Sequence, residues 1–393
     1  MKYELLSPAG NLEKLKVAID YGADAVYIGG KNYSLRANAN NFSLDEIKEA
    51  VTYAHKFNKK VYVTVNIVFH DNDLLGLDDY LKYLADIKVD GIIFSDHAVI
   101  SLVKKLKLDL NLILSTQTST LNKYAALYWQ DLGVSRIVLA REALIEDLQS
   151  IIDTGLETEV FIHGAMCTSF SGKCVMSNYV TNRDSNRGGC AQICRFLFDN
   201  SENNPKFTMM SKDLNMLLNL ESMIDMGVTS FKIEGRMRSI YYIATVIHTY
   251  RQVIDKILNK TLTTEYLTYA NNILGRVANR ESAPQFFQNI PGVEGQYFQD
   301  RNEISNQDFL GLVLDYKDGY VSVEQRNYFK PGDDVEFFGP KTNEESLKVG
   351  KIYDENLKPL EVANQPGKVI KFKSPIPLFK GDIMRVKVFD KVE

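Results

Sequence analysis

All four thiols of this 393-residue chain fall in one stretch, FIHGAMCTSFSGKCVMSNYVTNRDSNRGGCAQICRF, at Cys167, Cys174, Cys190 and Cys194. Six, fifteen and three residues separate them in turn. Gathered this way, with none elsewhere, they read as a single four-thiolate site. Such a site selects a soft or borderline metal, or an iron–sulfur cluster, because hard cations prefer oxygen. Structural zinc usually arrives in paired Cys-x-x-Cys knuckles, and no such pair occurs here. Irregular spacing suits a 4Fe–4S cubane, which takes ligands from loops of any length. On spacing alone the readings stand in the order cubane, zinc, then disulfides or free thiols.

Other candidate chemistry clusters near this stretch. His163 ends an apolar run just before the first cysteine and is a candidate acid–base group, with a core histidine as the plainer reading. Lys232 and Glu234 in KIEGR complete the candidate catalytic set, and an ion pair within that motif is the alternative for the glutamate. Arg36, Arg141, Lys212, Arg236 and Arg238 follow strand-like runs or flank the cysteines. They are candidates for gripping carboxylates, which a guanidinium holds bidentately. Residues 163–240 carry nine Lys or Arg against seven Asp or Glu. Contacts to nucleic-acid phosphates would therefore need a focused patch, for which Lys173, Arg183, Arg187 and Arg195 are the candidates. Arg183 and Arg187 serve equally well as donors to cluster sulfurs. Tyr27, Tyr33 and Tyr179 could stack on an unstacked base, although packing is the commoner role for a tyrosine.

The elements that must carry these residues alternate. Strand-like runs fall at Tyr3–Leu6, Ala25–Ile28, Val61–Val68, Gly91–Ser95, Asn111–Ser115, Arg136–Ala140, Glu159–Ile162 and Ser230–Ile233, with amphipathic stretches between. The helical period is plain in 11–21, 44–57, 77–87, 121–131 and 145–153, and Asn11 and Ser43 are placed as N-caps. Eight such repeats predict an α/β (β/α)8 barrel over 1–260, with an open doubly wound sheet as competitor. The cysteine-rich insertion, 163–205, leaves the seventh strand, and a helix is expected over 214–226. In either layout that is the functional face. A loosened pattern marks a connector over 261–307. From 308 to 393 the period becomes two, with an Asp318-Gly319 hairpin signal, which predicts a small all-β barrel domain.

Composition narrows the classes further. A formal charge of −4, with 45% apolar and 24% charged residues, fits a globular chain and excludes a globally basic nucleic-acid binder. The N-terminus lacks a signal segment and no long apolar run follows, so a cytoplasmic protein without a membrane partner is expected. In a reducing compartment clustered cysteines are more often metal ligands than disulfides. There is no His-Glu-x-x-His, Gly-x-Ser-x-Gly, Walker or dinucleotide motif.

The cysteine stretch, with CTSFSGKC, NRDSNRGGCAQIC and the following Arg195, resembles the collagenase-like peptidase family of unknown catalytic type. So do ELLSPAG, AVYIGG with Leu35-Arg36-Ala37-Asn38, SKDLN at 211–215 and KIEGRMRS at 232–239. The resemblance spans essentially the whole chain, and its members include prephenate-dependent tRNA uridine hydroxylation proteins. It implies a 4Fe–4S cluster on the four cysteines, tRNA as partner, prephenate as co-substrate and 5-hydroxylation of the wobble uridine. Other relatives would imply rRNA or quinone-precursor hydroxylation, a collagenase-like peptidase, or a non-catalytic RNA-binding subunit. One segment departs from the tRNA branch, where a Thr-Gly-Phe motif follows an Arg in the connector. Here Asn279-Arg280 precedes Glu281-Ser282-Ala283-Pro284-Gln285-Phe286, which leaves open a paralogous partner in a hetero-oligomer.

Overall fold

A computed structural model describes residues 3–35, 41–199, 206–277, 280–297 and 307–392. Strands β1 (Glu4–Pro8), β2 (Ala25–Gly29), β3 (Lys60–Val65), β4 (Gly91–Phe94), β5 (Leu112–Leu114), β6 (Arg136–Val138) and β7 (Glu157–Gly164) pair side by side, all parallel. The short β8 (Asp213–Asn215) stands outside the series, and β9 (Ser230–Ile233) pairs with both β7 and β1. Those last two ladders close the wall, so the molecule has a (β/α)8 barrel and not an open sheet. The strands are buried almost throughout, as parallel strands covered on both faces must be.

Helices fall between the strands: α1 (Leu12–Asp20), α2 (Leu44–Lys56), α3 (Leu77–Asp86), α4 (His97–Leu106), α5 (Lys123–Asp131) and α6 (Ile145–Ile152). The cysteine segment adds the short α7 (Met176–Thr181), and α8 (Leu220–Met226) precedes β9. Asn11 accepts the Lys14 N–H at 2.9 Å, and Ser43 with Glu46 forms a full capping box on α2.

Two expectations about elements are corrected. The helix expected over 214–226 begins only at Leu220. Its first residues form β8, antiparallel to the end of β7 through His163–Asn215 and Gly164–Leu214, and β8 also takes β10 (Ser282–Ala283) in parallel. A partner far along the chain overrode local pattern. The segment expected to be a connector opens with α10 (Thr264–Val277), whose buried Tyr266, Tyr269, Ala270, Ile273, Leu274 and Val277 keep helical spacing.

The chain divides into two compact units. One comprises Met1–Ile19, Ala23–Ser239 and Arg280–Asn302; the other comprises Asp20–Gly22, Ile240–Asn279 and Glu303–Glu393. The division therefore falls at residue 240, where the sequence places it near 260. In the second unit, α9 (Ile240–Leu258) and α10 accompany an eight-stranded antiparallel sheet running β14-β13-β18-β11-β12-β17-β15-β16. These strands are β11 (Phe309–Lys317), β12 (Tyr320–Gln325), β13 (Asp334–Phe338), β14 (Glu345–Lys348), β15 (Ile352–Tyr353), β16 (Pro359–Leu360), β17 (Val369–Lys373) and β18 (Ile383–Val386). Asp318 and Gly319 make the turn between β11 and β12 with φ of 52° and 78°, the left-handed pair that a two-residue hairpin requires. Its core gathers Val313, Val321, Phe337, Phe372 and Met384. Arg385, itself buried, joins Glu336 at 2.5 Å to Glu344 at 3.5 Å.

The barrel lumen is charged. Glu4 on β1, Tyr62 on β3, Arg136 on β6, Glu159 on β7 and Lys232 on β9 touch although their strands are spread around the wall, so they meet across the interior. Arg136 pairs with Glu4 and, at 3.4 Å, with Glu159, while Lys232 Nζ lies 2.6 Å from the other Glu159 oxygen. The Ser230 and Tyr62 hydroxyls each donate to Glu4 at 3.0 Å. Glu159 is 0% exposed, Lys232 4% and Arg136 5%. Branched aliphatic side chains commonly fill such a lumen. Here two carboxylates and two cations balance instead. Removing one member strands another, so Arg136→Ala is expected to cost about 3–5 kcal/mol in urea unfolding. The Arg136→Ala/Glu4→Gln double variant should recover part of that. A loss in the single variant well below this range, unchanged by the second substitution, would show the four charges to be independent.

Candidate active site at the barrel mouth

The site stands where the strands end. β7 runs to Gly164, whose φ is +112° and whose added Cβ would lie 2.6 Å from the Glu234 carbonyl oxygen, so only glycine lets β7 and β9 leave the wall together. Beyond it the cysteine segment is pinned at several points. The Ser171 N–H donates to Glu142 at 2.8 Å, and Asn186 Oδ1 accepts the Cys174 N–H at 3.2 Å. Asn186 Nδ2 and the Ser185 hydroxyl both donate to the Cys174 carbonyl. Arg187 forks onto Asp73 and also reaches the Val68 carbonyl at 2.9 Å, which ties the segment to the loop after β3. That guanidinium holds the Asp73 carboxyl down at about 2. On the other side the Thr208 and Ser211 hydroxyls donate to the carbonyls of Cys194 and Met166.

No disulfide joins the cysteines. Cys190 is exposed and the other three are half-buried. Burial pushes the Cys167 thiol up, with Cys190 and Cys174 near enough to add to the effect; Cys194 is raised likewise, with Cys167 and Cys190 as neighbours. The four thiols thus act on one another as one group. Their sulfurs are already met by polar atoms: the Met176 N–H donates to Cys174 Sγ at 3.4 Å, the Ser169 N–H to Cys167, and the Thr168 hydroxyl contacts Cys194. Among the described residues no three Cys, His, Asp or Glu side chains stand close enough to hold a single ion. Tetrahedral zinc, with bonds of about 2.3 Å, would draw its sulfurs far closer together than would a cubane, whose ligands attach to four separate irons. The soft donor set and its spread fit the cubane.

Above the lumen the charges continue. Lys232 Nζ lies 4.4 Å from the Tyr27 ring centre, and the Tyr27 hydroxyl donates to the Ile233 carbonyl at 3.0 Å and contacts Glu234 at 3.5 Å. Arg141 reaches Glu234 at 3.5 Å and the Ala165 carbonyl at 2.9 Å while lying over the Phe161 ring. Arg236 is buried, donating to Ser34 Oγ at 3.0 Å, and an added Cβ on Gly29 would sit 1.8 Å from its Nη1. A second cluster centres on Asp213, paired with Arg280 at 3.0 Å and Arg238 at 3.3 Å. Burial raises the Asp213 carboxyl, against the pull of Arg280, Arg238, Arg195 and Arg141. Burial, then Arg238, lowers His163 to about 3.

The structure thus sorts the residues singled out in the sequence. Glu234, Arg141, Arg236 and Arg238 gather at the mouth. Lys232 is committed to Glu159 in the lumen, and Lys212 to Glu281 at 2.7 Å. Arg187 serves the loop and Arg195 turns toward Asp213, leaving Lys173 and Arg183 exposed. Tyr179 is 86% exposed, whereas Tyr27 faces Lys232 and Tyr33 stacks on Phe69. Arg36 lies outside the described residues. Sequence reasoning missed Asp213, Arg280, Glu159 and Arg136. Charged residues inside apolar runs, as in Arg136-Ile137-Val138, were the available signal.

A closed (β/α)8 barrel with a four-cysteine loop over its mouth and an antiparallel β domain after it defines the class of protein. The chain belongs to peptidase family U32: residues 10–297 match that family and residues 305–385 match its C-terminal domain. A Bacillus subtilis protein named tRNA hydroxylation protein P1 is 44% identical over 405 residues, covering 98% of this chain and 94% of that one. An Escherichia coli protein named as a 23S rRNA 5-hydroxycytidine synthase is 37% identical, covering 66% of this chain and 40% of its own length. A Porphyromonas gingivalis protein named collagenase is 31% identical, covering 71% and 72%.

The buried neutral His163 sets a pH dependence. Its folded pKa of about 3 lies below the ordinary value of 6.5, so the unfolded chain binds the proton first. Its contribution is complete above pH 6.5 and is lost as the pH falls from there toward 3, by up to about 1.4 kcal/mol per pH unit. His163→Asn should flatten that part of the stability–pH curve measured by urea unfolding. An unchanged slope would mean that His163 is solvated when folded.

Proposed function

We propose that this chain hydroxylates carbon 5 of the wobble uridine in tRNA without molecular oxygen. The reading assigns prephenate as co-substrate and a 4Fe–4S cluster to Cys167, Cys174, Cys190 and Cys194. The observation that carries it is the convergence of four mutually interacting thiols on a pinned loop at the barrel mouth, in a chain similar to proteins named for hydroxylating tRNA and rRNA. Side chains alone have no means of oxidising an unreactive ring carbon, so a redox group is called for. When bound, the cluster supplies one-electron transfer, and four cysteine ligands leave no iron open.

The chain's own residues orient and select. The backbone N–H groups of Ser169 and Met176 and the Thr168 hydroxyl fix the sulfurs and stabilise their negative charge. Tyr27 and Arg141 hold Glu234 as the carboxylate at the mouth, where it can accept or return a proton. Tyr179, Phe170 and Phe196, all at least half-exposed, lie on the same segment as the exposed Lys173 and Arg183. Aromatic faces beside cations suit an unstacked base and its phosphates. A peptidase reading finds less support. A cysteine bound to iron is no free nucleophile, and a histidine lowered to about 3 is a poor base.

Deleting the gene should remove 5-hydroxyuridine derivatives from bulk tRNA nucleosides. Unchanged tRNA with altered rRNA cytidine or quinone would redirect the assignment. Cys190→Ala should cost both the brown colour of anaerobically purified protein and the modification in cells. Colourless wild-type protein with stoichiometric zinc would refute the cluster.

A further inference from the structure

The Asp213 cluster holds more cations than it can use. Asp213, Arg280 and Arg238 come from three separate segments: β8, the chain following α10, and the loop after β9. Arg195, one residue past the last cysteine, faces the same carboxylate. Arg141 is answered by Glu234, which leaves Arg195, Arg238 and Arg280 against the single charge of Asp213. The balance is a local charge of +2 in a buried place: Asp213 and Arg280 are each 5% exposed. The pairing is also incomplete. Arg280 Nη1 lies 3.0 Å from Asp213 Oδ1, yet both atoms are buried without a well-directed hydrogen bond, and so is Arg141 Nε. Buried donors without acceptors are rare in folded proteins, and guanidinium forks crowded together repel unless an anion joins them.

We propose that Arg195, Arg238 and Arg280, grouped around Asp213, form the binding site for a small dicarboxylate beside the cysteine segment. The charge balance selects a dianion, and the planar forks select carboxylates, which they meet two oxygens at a time. Asp213 holds the guanidiniums apart and is the internal competitor of the ligand. The inference rests on the reading in which a dicarboxylate co-substrate reacts at this mouth, and it assigns the residues that would hold it. An iron–sulfur core with four thiolates is itself anionic, but the cations acting on Cys167 and Cys194 are Arg141 and Arg195, whereas Arg238 and Arg280 act on Asp213.

Calorimetric titration of prephenate, malonate and inorganic phosphate into anaerobically purified, cluster-containing protein tests the assignment. Prephenate should bind saturably, and Arg280→Lys and Arg238→Lys should each raise Kd at least tenfold by keeping the charge and losing the fork. Asp213→Asn should act in the opposite direction and lower Kd, which a merely structural carboxylate would not do. Visible absorption and thermal unfolding of each variant report whether it kept its cluster and fold. Malonate binding with the same dependence, while prephenate is silent, would uphold the site and defeat the prephenate reading. The site itself is overturned if neither dicarboxylate binds wild-type protein, if phosphate binds and they do not, or if the lysine variants bind as wild type does. Loss of cluster absorption without loss of affinity would also overturn it, by giving those cations to the cluster.

Discussion

Two carboxylates and two cations sealed inside a barrel are stable only as a set. Glu4, Arg136, Glu159 and Lys232 share one lumen, and each would be strongly penalised if left alone in that dielectric. Their pairing fixes the positions of β1, β6, β7 and β9 relative to one another. It also holds Lys232 against Tyr27, which in turn presents Glu234 beside Arg141 at the open end. The charged mouth is the upper end of a charged interior, and the architecture of the site begins at the bottom of the barrel.

The loop that carries the thiols is ordered by its surroundings. Arg187 on Asp73, Glu142 on Ser171, and Asn186 on the Cys174 backbone fasten it to the exits of different strands. Soft ligands held by satisfied backbone need little rearrangement to receive a metal centre. The same fastening explains why Arg187 is spent on structure while Lys173 and Arg183, on the free side of the loop, stay available to solvent. Spacing along the sequence had treated these cations alike.

Family membership and activity are separate matters in this molecule. Peptidase family U32 includes proteins named for RNA hydroxylation and one named collagenase, all built on recognisably similar chains. The barrel is a scaffold that many chemistries share, so the assignment has to come from the site. What the site offers is soft sulfur donors, a crowded guanidinium cluster and exposed aromatic rings, a combination suited to redox chemistry on an anionic, base-bearing substrate.

The eight barrel strands and most helices between them were legible in the chain, because burial on both faces demands continuous β-branched runs and one-sided burial demands the helical period. The cysteines were legible because composition alone isolates them, and the Asp318-Gly319 hairpin because few residues accept its backbone. Helix α10 was equally written in its spacing and was overlooked behind polar punctuation. Closure of the barrel, the strand at Asp213–Asn215 and the Asp213–Arg238–Arg280 cluster were decided by tertiary structure alone. Each depends on groups brought together from distant parts of the chain. A local pattern records which way a residue faces, whereas the identity of its partner across a lumen or a loop exists only once the chain has folded.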